Sequence, residues 1–239
     1  LGPFEKTQGD DKALIYLLGT SLIYDGQTLR GQKLVDRIFS QGDSVEGHLI
    51  LGTAQLLVKD YPAAAKEFEK ALQLDPKCPS ANGSYGLALK EMSRIDDAAV
   101  YFRRELEINP YDFDANLYLG IYLYKTEQKY DEAQALFERA LGIRPGSPDA
   151  RYHLGLVYLL KGDLQRALAI LESVVKEVPD YMEGHAALTT LYYRLGRKED
   201  AKRHRAIVER LRAERDAATP KDMAQPGSGS GGSPEAPRR

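Results

Sequence analysis

Apolar residues along this chain recur at helical spacing over most of its length. In residues 148–161, Leu154, Gly155 and Tyr158 fall at i, i+1 and i+4, and in 164–177 Leu164, Leu168, Leu171 and Val175 line one face. Lys161-Gly162-Asp163 and Leu195-Gly196-Arg197 are short turn signals between such segments. The pattern predicts pairs of helices of roughly 14 residues each, joined by tight turns. Ser147 followed by Pro148 is a helix cap with proline at the first helical position.

Three residue types keep one long period across these segments. Pro76, Pro110, Pro145 and Pro179 are 34, 35 and 34 residues apart. Gly52, Gly86, Gly120 and Gly155 are separated by 34, 34 and 35. Ala64, Ala98, Ala133, Ala167 and Ala201 repeat by 34, 35, 34 and 34. A period in this range marks a solenoid, in which no single repeat buries its own apolar face. Each proline falls where the second helix of a pair is expected to stop, because it lacks an N–H and fixes φ. The repeats so defined are 12–44, 45–78, 79–112, 113–147, 148–181 and 182–215.

Residue by residue the repeats resemble the tetratricopeptide repeat, which favours a large apolar residue at position 7, a small one at 8, Ala at 20, an aromatic at 24, Ala at 27 and Pro at 32. Repeat two matches with Leu51, Gly52, Ala64, Phe68, Ala71 and Pro76; repeat three with Tyr85, Gly86, Leu89, Ala98, Phe102 and Pro110. Repeat four has Leu119, Gly120, Leu123, Ala133, Phe137, Ala140 and Pro145, shifted by one because its turn over 125–129 is a residue longer. Repeat five has Leu154, Gly155, Tyr158, Ala167, Leu171 and Pro179. The resemblance implies an all-α, right-handed superhelical solenoid of antiparallel helix pairs. Gly52, Gly86, Gly120 and Gly155, with Ala64, Ala98, Ala133 and Ala167, are then packing positions where paired helices cross. Phe68, Phe102 and Phe137 are expected to fill the wedge between repeats.

The ends depart from the pattern. Repeat one, around Leu18, Gly19 and Leu22, carries Gly31 in place of Ala and lacks the terminal proline. Repeat six carries Thr189 for Gly and Arg205 for the aromatic, as a polar capping repeat would. Its second helix is expected to run to about Glu214. Phe4-Glu5-Lys6-Thr7 echoes Phe68-Glu69-Lys70-Ala71, so residues 1–11 read as a remnant of a preceding repeat. Residues 216–239, rich in Gly, Ser and Pro, read as a disordered tail.

Composition removes several function classes. A net charge of −2 and an isoelectric point near 6.2 are a poor footprint for nucleic acid. Helical-repeat RNA recognition also needs a basic groove with paired base-reading side chains, which is not found. The single cysteine, Cys78, rules out an internal disulfide and a cysteine-based zinc cage. No apolar run approaches membrane-spanning length, so no direct membrane insertion is expected in this segment. The compartment is left open. His48, His153, His185 and His204 are spread over repeats two, five and six and are read as surface or packing residues, although His153 and His185 lie on neighbouring first helices. Carboxylates such as Asp96, Asp97, Glu105 and Glu107 read as solvated charge. No catalytic residue, metal site or cofactor is expected.

What distinguishes the chain is the second face of each first helix. On a lone surface helix that face is polar. Here it carries Tyr16 and Ile23; Leu49 and Leu56; Leu87; Leu117, Ile121 and Tyr124; Tyr152, Leu156 and Leu159; and Tyr193. In proteins similar to this one, these positions line a concave groove where peptides bind. The lysine and asparagine pair with which the chaperone-binding branch of the family clamps a carboxylate is absent. The expectation is a non-catalytic scaffold that binds a protein partner, as a peptide or helix, in an apolar, tyrosine-rich groove. The alternative is an interaction module truncated from a larger enzyme or membrane-anchored assembly factor, since the chain starts at Leu1 rather than Met. Self-association through the end of repeat one is left open.

Overall fold

The computed structural model describes residues 44–218 continuously, preceded by residues 14, 15, 18, 19, 21, 22, 25, 27–38 and 42. Tyr16, Ile23, the segment 1–11 and residues 219–239 lie outside the described residues, so their expected roles are not addressed by it. Among the described residues all regular structure is helical. The chain separates into two compact bodies, Leu1–Ile170 and Leu171–Arg239.

The first body contains α1 (Thr28–Ile38), α2 (Val45–Leu57), α3 (Tyr61–Leu74), α4 (Ala81–Glu91), α5 (Ile95–Ile108), α6 (Phe113–Tyr122), α7 (Tyr130–Ile143) and α8 (Pro148–Lys161). Helices pair as α2 with α3, α4 with α5 and α6 with α7, and each pair packs on the first helix of the next. The first helices α2, α4 and α6 also touch in sequence, so they lie side by side.

Local chemistry explains the boundaries. Side chains of Ser44, Asp60, Asp112 and Ser147 accept hydrogen bonds from the N–H groups of Gly47, Ala63, Ala115 and Ala150, capping α2, α3, α6 and α8. At the other end Asp75, Asn109 and Arg144 leave the helix with ψ of 99°, 89° and 83°. Each precedes a ladder proline, which disfavours the α region for its neighbour. Within each pair the turn contains one residue in the left-handed region: Lys59, Ser93, Gln128 and Gly162, with φ of 65°, 62°, 55° and 82°. Only the last is a glycine, whose lack of a Cβ gives the backbone freedom such a φ favours.

The core is built on the glycine and phenylalanine positions. A Cβ placed on Gly52, Gly86 or Gly120 would lie 2.7, 2.7 or 2.8 Å from a ring carbon of Phe68, Phe102 or Phe137, respectively. Each ring therefore rests on the glycine of its own repeat. Its other side meets the next first helix: Phe102 stacks on Tyr118 and Phe137 on His153, both with centroids 5.8 Å apart. All three phenylalanines are buried, as are Ala64, Ala98, Ala133 and Ala167. Gly155 is buried too.

Repeat four holds a feature the spacing does not specify. Its extra residue is absorbed into a π-turn, Leu123–Glu127, that continues α6. The Lys129 N–H reaches back to the Leu123 carbonyl at 3.0 Å. Glu127 is held by Arg103 of α5 at 2.5 Å and by Lys129 at 2.8 Å.

The division between the bodies falls within α9 (Leu164–Glu177). The second body adds α10 (Met182–Arg194) and α11 (Lys198–Ala218), which pack together. Leu171, Val174, Leu188, Leu191 and Ala201 form its core. Thr189, in the glycine place, donates its hydroxyl to the His185 carbonyl at 2.8 Å. Arg205, in the aromatic place, is exposed and pairs with Glu209 at 2.9 Å. Helix α11 continues past Glu214 to Ala218, so residues 216–218, expected to open the tail, are helical.

Candidate partner-binding surface

In the first body, Leu49 and Leu56 on α2, Leu87 on α4, Leu117 and Ile121 on α6, and Tyr152, Leu156 and Leu159 on α8 occupy equivalent turns of the first helices. Their exposures differ. Leu117, Tyr124 and Leu159 are buried, at 4%, 6% and 7%. Leu49, Leu56, Leu87, Ile121, Tyr152 and Leu156 are half-buried, with apolar surface still open. Tyr193, in the second body, is 47% exposed.

Tyr124 is buried because it faces an aromatic cluster. Its ring lies edge-on to Phe137 at 6.1 Å, and its hydroxyl is 3.0 Å from Nδ1 of His153. His153 stacks on Phe137 and lies 5.0 Å from the ring of Tyr152. Burial holds the imidazole at a pKa of about 4, helped by the Lys125 ammonium and opposed by Asp149. Burial also pushes the Tyr124 hydroxyl well above its ordinary value.

Three polar networks are buried where the sequence reading expected solvated charge or isolated histidines. Glu105 occupies the position 27 place, where repeats two and four have alanine, and is fully buried. It accepts the Ser80 N–H at 2.9 Å and the Gly83 N–H at 3.0 Å. Ser80 makes no side-chain cap, so a carboxylate from α5 caps α4 in its place. Burial pushes the Glu105 carboxyl up, the two N–H groups pull it down, Asp112 pushes it up again, and the net shift is upward. The reading of Glu105 as solvated is therefore corrected. The available signal was its acid at a small-residue position.

Glu67 lies 2.6 Å from Nδ1 of His48 and 3.0 Å from Lys70 Nζ. Burial raises its pKa, but these two partners outweigh burial and hold the carboxyl below its ordinary value. In the second body, His185 Nε2 lies 3.0 Å from the Pro179 carbonyl and must donate to it. Its Nδ1 therefore accepts from His204 Nδ1, 2.8 Å away. His153 and His185, noted as candidates to approach one another, thus each have other partners. Among the described residues no three His, Cys, Asp or Glu side chains are grouped to hold a metal ion. No described helix is long and apolar enough to cross a membrane.

A cavity of about 340 Å³ lies between α4, α5 and α6. Ile121 lines it, and so belongs both to the first-helix face and to this cavity. Lys125 and Thr126 reach its wall from the π-turn.

Comparison with known proteins bears on this geometry. Two family profiles, both described as tetratricopeptide repeat, match residues 16–82 and 85–148, and residues 124–180 and 158–217. No curated protein matches the chain. Among solved structures, a MamA fragment from Desulfovibrio magneticus RS-1 is 22% identical with a TM-score of 0.63, covering 74% of this chain and 99% of that one. YrrB, described as a TPR protein with an unusual peptide-binding site, is 24% identical with a TM-score of 0.58, covering 77% and 96%. PilW, described as a type IV pilus biogenesis factor, is 22% identical with a TM-score of 0.60, covering 70% and 77%. These likenesses show an all-α solenoid of paired helices.

Proposed function

The chain belongs to the tetratricopeptide repeat family, whose fold supports protein–protein interaction, and on that premise we propose that it is a non-catalytic scaffold binding a partner peptide or helix along the apolar face of its first helices. The observation that carries this reading is the set of half-buried side chains, Leu49, Leu56, Leu87, Ile121, Tyr152 and Leu156, at matching turns of the first helices. Neighbouring helices absorb Leu117, Tyr124 and Leu159, but these six keep accessible apolar surface. Apolar and aromatic anchors of this kind dominate the energetics of helix-in-groove and extended-peptide recognition. YrrB, with its unusual peptide-binding site, is a relative in fold for which a peptide is named.

The buried titratable groups support a non-catalytic reading. Glu105 is consumed in capping α4, Glu67 is paired with His48 and Lys70, and His153 is enclosed by aromatic rings.

The test is the double variant Leu87→Glu with Leu156→Glu, chosen because neither leucine is buried, whereas Tyr124 is. Partner binding by the purified chain is expected to fall at least tenfold, on the scale of a lost apolar anchor, about 1.4 kcal/mol or more. Far-UV circular dichroism should be unchanged. Undiminished binding would move the site off this face.

A further inference from the structure

The cavity between α4, α5 and α6 has an uneven chemistry. Its floor is apolar: Ala98 and Ala99 are 1% exposed and Phe102 2%. The walls are Ile95, Ile121 and the ring of Tyr118. Ile95 is 44% exposed, so the apolar surface continues out of the cavity onto the protein exterior. Two lysines, Lys90 and Lys125, belong to the lining; none of the lining residues is itself an acid, and the hydroxyl of lining Tyr122 donates to Asp96 at 3.1 Å. Lys90 sits 4.3 Å over the Tyr118 ring and pairs with Glu91 at 2.5 Å. Lys125 is exposed and has no carboxylate partner among the described residues. It lies in the π-turn that the extra residue of repeat four creates, with its ammonium 5.9 Å from the Tyr124 ring centroid. π-turns inside helices are frequent at functional sites.

We propose that this cavity is an anchor site for a partner protein segment in which one large apolar side chain lies within two residues of a carboxylate. The apolar side chain enters between Ala99 and Ile121, and the carboxylate meets Lys125. The volume of about 340 Å³ lies at the lower end of ligand-pocket sizes, roughly 300–1,000 Å³. That accommodates a single large side chain with its adjoining backbone rather than a whole helix. Charge complementarity selects the acidic flank, because an ammonium at a partly desolvated apolar site attracts a carboxylate more strongly than one in open water. The inference rests on the reading of the chain as a protein-binding scaffold and specifies what part of it recognises.

A random peptide library displayed on phage, panned against the full chain and against single variants, tests it. Sequences with Phe, Leu, Tyr or Trp within two residues of Asp or Glu are expected to be enriched. In a selected peptide, replacing the apolar residue by alanine should weaken binding about 30-fold. Replacing the acid by its amide should weaken it about tenfold. Ala99→Leu, which narrows the cavity, should abolish binding, with circular dichroism reporting its fold. Lys125→Glu changes only an exposed side chain and should switch the selected sequences to Lys or Arg in the acidic place. Enrichment without any charge preference overturns the proposal. So does binding that is lost in Leu156→Glu but unmoved by Ala99→Leu and Lys125→Glu, which leaves the first-helix face as the site. Binding lost in both cavity variants and unmoved by Leu156→Glu supports the cavity and counts against that face.

Discussion

Gly86→Ala is the sharpest test of how the repeats pack. The new methyl carbon would lie 2.7 Å from Cε1 and 2.9 Å from Cδ1 of Phe102. Carbon atoms rest at about 3.5–4.0 Å, so the ring must retreat by close to an ångström. It has little room, being 2% exposed and stacked on Tyr118 of the next first helix. Against that, alanine is better than glycine inside a helix by about 0.8–1.0 kcal/mol. Overpacking of a closed core costs about 1–3 kcal/mol, so the net is a loss of up to about 2 kcal/mol. Gly142→Ala is the internal control. It makes the same chemical change in the last turn of α7, where an added Cβ meets nothing within 4 Å. That variant should gain about 0.5–1 kcal/mol. The two should therefore move in opposite directions in urea titrations followed by far-UV circular dichroism, and Gly86→Ala should melt several degrees lower, at about 2–4 °C per kcal/mol. Phe102→Leu in the Gly86→Ala background should recover part of the loss through coupling of touching sites. Gly86→Ala as stable as Gly142→Ala would refute the assignment of Gly86 as a contact forced by the ring.

Other consequences follow from the turns and buried groups. Glu105→Ala restores the residue that repeats two and four carry, yet should destabilise by about 1–3 kcal/mol because the N–H groups of Ser80 and Gly83 lose their acceptor; a neutral or stabilising result in chemical denaturation would contradict the capping role. Lys59→Gly relieves a left-handed φ of 65° and should stabilise by up to about 1 kcal/mol, with a lowered melting temperature as the contrary result. His153 is neutral in the folded protein down to pH about 4, whereas in the unfolded chain it takes up a proton near 6.5. Its contribution is therefore complete above pH 6.5 and is lost as pH falls towards 4, by about 3 kcal/mol at most. The stability advantage of the wild type over His153→Phe should shrink by that order between pH 7 and 4.5, and a flat difference would show that the imidazole titrates as in water.

The proline, glycine and alanine ladder made the helix pairs legible because each rung reports a local steric demand: a stop, a close approach, a small crossing point. What escaped it depends on contacts between repeats. The extra residue at 125–129 reads as a longer turn in sequence, but closure of Lys129 onto Leu123 and the grip of Arg103 on Glu127 draw it into the helix. Glu105 reads as a surface acid until α4 is seen to start without a cap of its own. The apolar stripe was visible, but not its division. Tyr124 is buried between Phe137 of its own repeat and His153 of the next, and no pattern within one repeat encodes the second contact.

The central claim, that the open apolar face of the first helices receives a partner, is tested most directly by placing a photocrosslinking residue at Leu156 and, separately, at Val100. Val100 is also apolar and is 43% exposed, but it lies on the second helix of its repeat. Crosslinked products should form at Leu156 and be absent or several-fold weaker at Val100. Equal yields at the two positions, or capture at Val100 alone, would contradict the account.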